Sequence, residues 1–243
     1  MTTYSSKPTL VFIHYFGGDA GSWNWFAKKF GNDYQCEFLT LPGFGQSQPL
    51  ERLTIRGFSE WIAAQIKALK VTDYILIGHS MGGKLALFTT LVLHDHLPKS
   101  LILIAPSPPT IEQMPDDEKK RMLNHPDADE SETTVRKATG KSLRKKRFDY
   151  AVKSQMKVDH NTWSWWINKG MSNDISWTIK NLDIPVFVIC GRKDDAITTD
   201  HIHNDVMPYL NNAKLITFGR AGHLIPLESP RKLAKVIRKI VSY

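Results

Sequence analysis

The chain has 243 residues, of which 42% are hydrophobic and 23% charged, and its formal net charge is +8. This length suffices for one large α/β domain with a substantial core, or for such a domain with a small insertion. No apolar run approaches the length of a membrane span and no nucleic-acid motif accompanies the positive charge, so we expect neither a membrane span nor a nucleic-acid partner.

Short apolar runs predict six strands, and segments with helical spacing lie between them. The predicted strands are residues 10–13, 36–41, 74–77, 101–105, 186–189 and 215–218. The predicted helices are residues 22–30, 54–69, 199–210, 230–241 and a helix that follows residue 80. Alternating strands and helices require a mostly parallel, doubly wound sheet, with ligands at the carboxyl ends of its strands.

The third predicted strand leads into a serine between glycines. Residues 78–83 read Gly-His-Ser-Met-Gly-Gly, which places Ser80 in a Gly-x-Ser-x-Gly pattern. A serine in a strained strand–turn–helix needs neighbours without Cβ atoms, so that the strand and the helix can approach closely. Such a nucleophile elbow exposes the hydroxyl and places backbone N–H groups at a helix N-terminus, where negative charge is stabilised. The pattern also occurs in loops by chance, so the prediction depends on finding an acid and a histidine elsewhere.

The alternation of strands and helices is interrupted after the fourth strand. Residues 110–180 contain no apolar strand run; acidic residues come first, then seven lysines and arginines from Arg136 to Arg147, then four tryptophans. We predict that this segment, called the cap segment below, is a helical insertion in a core formed by residues 1–109 and 181–243. The basic run is interpreted as a solvated face, with a site for an acidic substrate as the alternative.

Two further polar residues follow predicted strands at their carboxyl ends. Asp194 follows the fifth strand and His223 the sixth, so the chain order is Ser80, Asp194, His223. Serine alone is a weak nucleophile; a histidine must accept its proton, and a carboxylate must hold that histidine in the right tautomer. Asp195 is adjacent, but Asp194 lies nearer the strand end and is therefore assigned as the acid.

Five blocks of the sequence resemble the α/β-hydrolase superfamily. They are His-Tyr-Phe-Gly-Gly at 14–18, Leu-Pro-Gly-Phe-Gly-Gln-Ser at 41–47, Gly-His-Ser-Met-Gly-Gly at 78–83, Gly-Arg-Lys-Asp at 191–194 and Ala-Gly-His at 221–223. The resemblance covers essentially the whole chain outside the cap segment. It implies the α/β-hydrolase fold with a helical cap, a catalytic triad of Ser80, Asp194 and His223, and an acid three residues after Gly191.

The resemblance also implies an oxyanion hole formed by the backbone N–H groups of Met81 and Phe16. The family usually has glycine after His14, where this chain has Tyr15, and a tyrosine cannot adopt a glycine-only conformation cheaply. Tyr15, Trp163 and Trp166 are candidate substrate-pocket residues. The two tryptophans share a helix face, so they either line a pocket or pack the cap segment on the core. No metal or organic cofactor is implied.

We therefore expect a serine hydrolase that cleaves a carboxylic ester, a lactone or a thioester of a small molecule. A hydroxynitrile lyase or a C–C bond hydrolase would use the same triad, and a non-catalytic small-molecule receptor can retain the same scaffold. The sequence leaves these alternatives and the oligomeric state open. His14 is expected to brace its loop, and His79 to be structural.

The two cysteines and the first eight residues indicate the cellular compartment of the protein. Cys36 and Cys190 both lie in predicted strands and have no zinc-like spacing, so we expect reduced core residues. Residues 1–8 lack the apolar core of a signal peptide. Both features predict a cytoplasmic protein.

Overall fold

The computed structural model describes residues 7–242; residues 1–6, on which the expectation about a leader segment largely rests, and residue 243 lie outside the described part. Six strands form one sheet in the order β2-β1-β3-β4-β5-β6, and every neighbouring pair is parallel. This confirms the predicted doubly wound α/β fold. The strands are β1 (Thr9–Ile13), β2 (Cys36–Leu39), β3 (Tyr74–His79), β4 (Ser100–Ile104), β5 (Val186–Gly191) and β6 (Ala213–Phe218).

Helices cover both faces of the sheet because residues along each central strand alternate between two apolar layers. In β1, Val11 and Ile13 pack in one core cluster with the helices of residues 55–68 and 81–92, whereas Leu10 and Phe12 pack in another with the helices of residues 24–30 and 230–241. The helices that flank the sheet are α1 (Asn24–Phe30), α2 (Ile55–Ala68), α3 (Met81–Val92), α9 (Thr199–His201), α10 (Ile225–Glu228) and α11 (Pro230–Val241).

The cap segment is helical, as predicted, between β4 and β5. Its helices are α4 (Asp116–Met122), α5 (Ala128–Lys137), α6 (Lys145–Gln155), α7 (His160–Trp165) and α8 (Ser176–Ile179). A π-helical turn, Trp166–Gly170, continues α7. The cap segment contacts loops at the carboxyl ends of the strands: the Asp159 N–H donates to the Gly43 carbonyl, and the Ser154 hydroxyl donates to the Gly17 carbonyl.

One predicted helix is irregular in the structure, and several predicted strand ends shift by one or two residues. The helix predicted over residues 199–210 is α-helical only in α9; a π-helical turn, Ile202–Val206, and a 3-10 turn, Met207–Tyr209, follow. Pro208 has no N–H to continue an α-helix. The second strand ends at Leu39 rather than at residue 41, and the Leu41 N–H donates instead to Nε2 of His14 at 3.0 Å.

Both cysteines lie in strands, as predicted. Cys36 is half-buried in β2, Cys190 is buried in β5, and neither forms a disulfide. Within residues 7–242, no helix is both long enough and apolar enough to cross a membrane.

Candidate active site

The turn between β3 and α3 holds Ser80 in a strained conformation. Its backbone has φ 54° and ψ −120°, a region that non-glycine residues seldom adopt. A Cβ at Gly78 would collide with the Gly82 carbonyl, and a Cβ at Gly82 would come within 2.5 Å of the His14 carbonyl oxygen. The glycines around Ser80 therefore permit the close approach of strand and helix that the sequence pattern predicts.

The structure brings together the three residues that follow strands β3, β5 and β6. Ser80 Oγ lies 2.8 Å from His223 Nε2, and His223 Nδ1 lies 2.8 Å from Asp194 Oδ2. Asp194 is 4% exposed and His223 7% exposed, so solvent barely reaches these two residues, whereas Ser80 is half-buried. The arrangement gives the serine hydroxyl a base and gives that base a carboxylate partner.

The two adjacent carboxylates after β5 have different environments. Asp195 is exposed, whereas Asp194 uses both oxygens: Oδ2 faces His223, and Oδ1 accepts hydrogen bonds from the N–H groups of Ala196 and Ile197 at 2.9 and 2.8 Å. Asp194 thus also braces the turn that follows it. These backbone bonds hold its carboxylate in one orientation toward the imidazole.

The loop after β1 accommodates a tyrosine where the family usually has glycine. Among residues 7–242, the non-glycine residues with positive φ are Lys70, Ser80 and Ala105, so Tyr15 is under no such strain. The positive φ of this loop, 88°, falls at Gly17 instead. The Phe16 N–H donates no hydrogen bond to another described residue. Met81 is the first residue of α3, where an N–H has no partner within its helix.

Two buried histidines support this region. His14 accepts from the Leu41 N–H through Nε2, so its Nδ1 donates to the Tyr15 carbonyl at 2.8 Å; burial lowers the pKa of His14 to about 4. This confirms its predicted loop-bracing role. His79 Nε2 lies 2.8 Å from the His223 carbonyl oxygen, and burial holds the pKa of His79 well below its usual value. A neutral His79 therefore donates to, and holds, the backbone of the histidine in the Ser80 site.

The candidate pocket residues are largely buried. Tyr15 is 3% exposed and packs beside His79, with ring centroids 5.1 Å apart. Trp163 is 3% exposed; its ring lies 4.2 Å from that of Phe16, and its Nε1 donates to the Met122 carbonyl at 2.7 Å. Trp166 is 4% exposed and packs near Phe16 as well. Both tryptophans therefore pack the cap segment against the loop that carries the Phe16 N–H.

Sequence reasoning missed three charged residues near the Ser80 site. Lys84, one helical turn beyond Ser80, is fully buried, and its Nζ donates to the carbonyls of Thr110 and Met171 at 2.9 and 3.0 Å. Burial lowers the pKa of Lys84 to about 8, although the charge of Glu112 opposes this. The ammonium joins two distant parts of the cap segment to α3. The sequence signal for this role was a single lysine in the otherwise uncharged segment 81–92.

Glu112 and Glu228 are the other missed residues. Burial raises the pKa of Glu112, whereas the nearby Ser107 hydroxyl acts to lower it. Oε2 of Glu112 has no hydrogen-bond partner among the described residues. Glu228 accepts hydrogen bonds from the N–H groups of Gly222 and Gly140, which ties the His223 loop to the cap segment. Neither role could be inferred locally, because each depends on residues distant in the chain.

The charges around His223 determine its basicity. Burial alone would lower its pKa, but the charge and hydrogen bond of Asp194, followed by the charges of Glu112 and Glu228, raise it above the usual value. Within residues 7–242, no group of three or more His, Cys, Asp or Glu side chains is placed to hold a metal ion.

Residues 10–236 match the alpha/beta hydrolase family. The chain belongs to this family.

Individual relatives resemble different parts of the chain. A putative esterase/lipase from Haemophilus influenzae is 36% identical over 103 residues, which cover 42% of this chain and 36% of the relative. The chain thus matches about a third of that relative's length. A putative 2-succinyl-6-hydroxy-2,4-cyclohexadiene-1-carboxylate synthase from the same organism is 23% identical over 96% of both chains. The structure of an esterase from Exiguobacterium antarcticum is similar in fold, with a TM-score of 0.88 at 17% identity, over 98% of this chain and 93% of that one.

Proposed function

We propose that this protein is a serine hydrolase that cleaves carboxylic esters, or the related lactones and thioesters, through an acyl-enzyme. The observation that carries the proposal is the hydrogen-bonded chain from Ser80 through His223 to Asp194, with the serine held in a strained turn. The putative esterase/lipase among its relatives supports the same chemistry.

In the proposed mechanism, Ser80 Oγ attacks the acyl carbon while His223 Nε2 accepts its proton. Asp194 holds Nδ1 protonated and stabilises the imidazolium that forms. The N–H groups of Met81 and Phe16 stabilise the oxyanion of the tetrahedral intermediate. His223 then protonates the leaving alcohol, and a water molecule, deprotonated by the same nitrogen, hydrolyses the acyl-enzyme.

A panel of p-nitrophenyl esters with graded acyl chains, extended to lactones and thioesters, tests this proposal. We expect saturable turnover of at least one class, with loss of activity after treatment with an organophosphorus reagent. Absence of turnover across all three classes, from folded protein, would contradict it.

The second candidate is lyase or carbon–carbon bond chemistry on the same three residues. The specific observation in its favour is that the putative synthase matches 96% of both chains, cap segment included. Cyanohydrins and β-diketone-like carbon acids belong in the same panel. Turnover of these, without ester cleavage, would favour the second candidate. Slow single turnover with tight retention of product would instead favour a receptor.

We further propose that the cap segment, residues 110–180, covers the reacting residues and limits substrate size. Contacts of the cap segment on three sides support this proposal. Trp163 packs on Phe16, and the Met171 carbonyl accepts a hydrogen bond from Lys84 of α3. On the third side, the His223 N–H donates to the Ala138 carbonyl at 2.9 Å.

Trp163 packs the cap segment on the core, so its replacement should destabilise the protein. We expect Trp163→Ala to lower the free energy of unfolding by about 3–5 kcal/mol, because a buried ring and the hydrogen bond to Met122 are lost. Trp177, which is 79% exposed, is the matched control, and Trp177→Ala should change stability by less than about 0.5 kcal/mol. Urea denaturation measures both. If Trp163→Ala is as stable as the wild type and alters only acyl-chain preference, Trp163 is a pocket wall.

The pH dependence tests the charges around His223. His223 must be neutral to accept the serine proton, so kcat/KM should fall as the pH falls through its raised pKa. Glu112→Gln removes one of the negative charges that raise this pKa, so the acidic limb should move to lower pH. Glu51→Gln, an exposed control, should not move it. An unchanged limb in Glu112→Gln would show that Glu112 does not act on His223.

A further inference from the structure

A groove of about 970 Å³ lies between the start of α6, the end of α1 and the start of α11. Of its sixteen lining residues, ten are lysine or arginine and one, Glu228, is acidic, which gives a net charge of +9. The whole chain has a net charge of +8, so the remainder carries −1. The basicity of this protein is therefore concentrated in one concave surface.

Few of these cations are neutralised by neighbouring side chains. Among the described residues, the ion pair that involves a lining cation joins Lys145 to Asp149 at 2.8 Å. Arg147 donates to the Leu227 carbonyl, and burial together with the charge of Arg144 lowers the pKa of Arg147. Like charges held this close repel one another, and a bound anion would relieve the repulsion.

Two helices of eleven and twelve residues, α6 and α11, begin at this groove, and neither has an acidic residue in its first turn. Their N-cap residues, Arg144 and Ser229, make no side-chain capping hydrogen bond. Helix N-termini favour negative charge, so the cations placed there oppose helix stability. The same N–H groups and cations are well suited to phosphate oxygens.

We propose that this groove binds a compact, soluble polyanion that carries two or more phosphate groups. Its volume is within the range of small-molecule sites, which suits a compact ligand better than a long nucleic acid. The exposed large hydrophobic residues among those described, Leu97, Ile111 and Trp177, do not line the groove. The large apolar side chains that do line it, Trp25 and Leu143, are half-buried against the neighbouring core, so they are poorly placed to insert into a membrane. None of Ser80, Asp194 and His223 lines it, so this proposal is independent of the proposed hydrolase activity.

Titration with tripolyphosphate at low ionic strength tests the proposal, by calorimetry and by the shift in Tm. We expect saturable one-to-one binding that raises Tm, because the ligand binds the native state. Arg144→Glu combined with Arg231→Glu should weaken binding at least about tenfold, since two of the cations become anions. Both changes put acids at helix N-termini, so the free variant should unfold at no lower temperature than the wild type.

Lys70→Glu combined with Lys214→Glu is the matched control, because it makes the same change in net charge at exposed positions outside the groove. Binding by this control should stay within about twofold of the wild type. Equal losses in both double variants, or titration without saturation, would overturn the proposal. Binding to anionic phospholipid vesicles or to a single-stranded oligonucleotide that tripolyphosphate does not displace would also overturn it.

Discussion

Ser80→Ala is expected to abolish ester hydrolysis and covalent labelling by an organophosphorus reagent. The Ser80 hydroxyl lies at the end of the hydrogen-bonded chain, 2.8 Å from the nitrogen that would accept its proton. Loss of such a nucleophile lowers turnover by about 10⁴–10⁶-fold in comparable enzymes. The measurement is kcat for the purified variant, with intact-mass analysis after labelling.

The control for this experiment is Ser172→Ala, an exposed serine of the cap segment, which should keep wild-type turnover and labelling. Because alanine at position 80 keeps the Cβ and removes only the hydroxyl, the fold should persist, as circular dichroism will show. Stoichiometric labelling of Ser80→Ala would show that another residue is the nucleophile.

Asp194→Asn should lower turnover by about 10⁴-fold, the cost of the equivalent change in a serine protease. The structure gives the reason for this chain. An asparagine at position 194 would keep its oxygen toward the N–H groups of Ala196 and Ile197, which need an acceptor. Its amide NH₂ would then face His223 Nδ1 and favour the tautomer whose Nε2 carries the proton. That tautomer cannot accept a proton from Ser80.

Asp195→Asn is the matched control, because it removes the same charge at the next position in the chain, where the side chain is exposed. It should change turnover by less than about threefold, in line with surface substitutions. Steady-state kinetics on both variants, with folding checked by circular dichroism, decides between them. A greater loss in Asp195→Asn than in Asp194→Asn would assign the orienting carboxylate to Asp195.

Local patterns in the sequence were sufficient to predict the fold and the meeting of three side chains. Short apolar runs alternate with helical spacing, and that alternation allows few architectures besides a parallel sheet with covered faces. Parallel strands end at one edge, so residues placed just after β3, β5 and β6 meet there. The close approach of β3 and α3 requires glycines on both sides of Ser80, and because this requirement falls within five consecutive residues, it can be read from a single sequence.

Tertiary structure alone decided which charged side chains are buried and which converge. Lys84 is as polar as any surface residue, and its burial depends on the cap segment, whose Thr110 and Met171 carbonyls accept its hydrogen bonds. Glu112, itself in the cap segment, comes close to Lys84 and His223 only because that segment packs on the core. The basic groove likewise joins the end of α1, the start of α6 and the start of α11, which are more than eighty residues apart in the chain at their nearest. Periodicity reports the local environment of a residue, whereas burial and charge convergence arise from contacts distant in sequence. For that reason the cap tryptophans could be assigned to a helix face from the sequence, but not to the packing against Phe16.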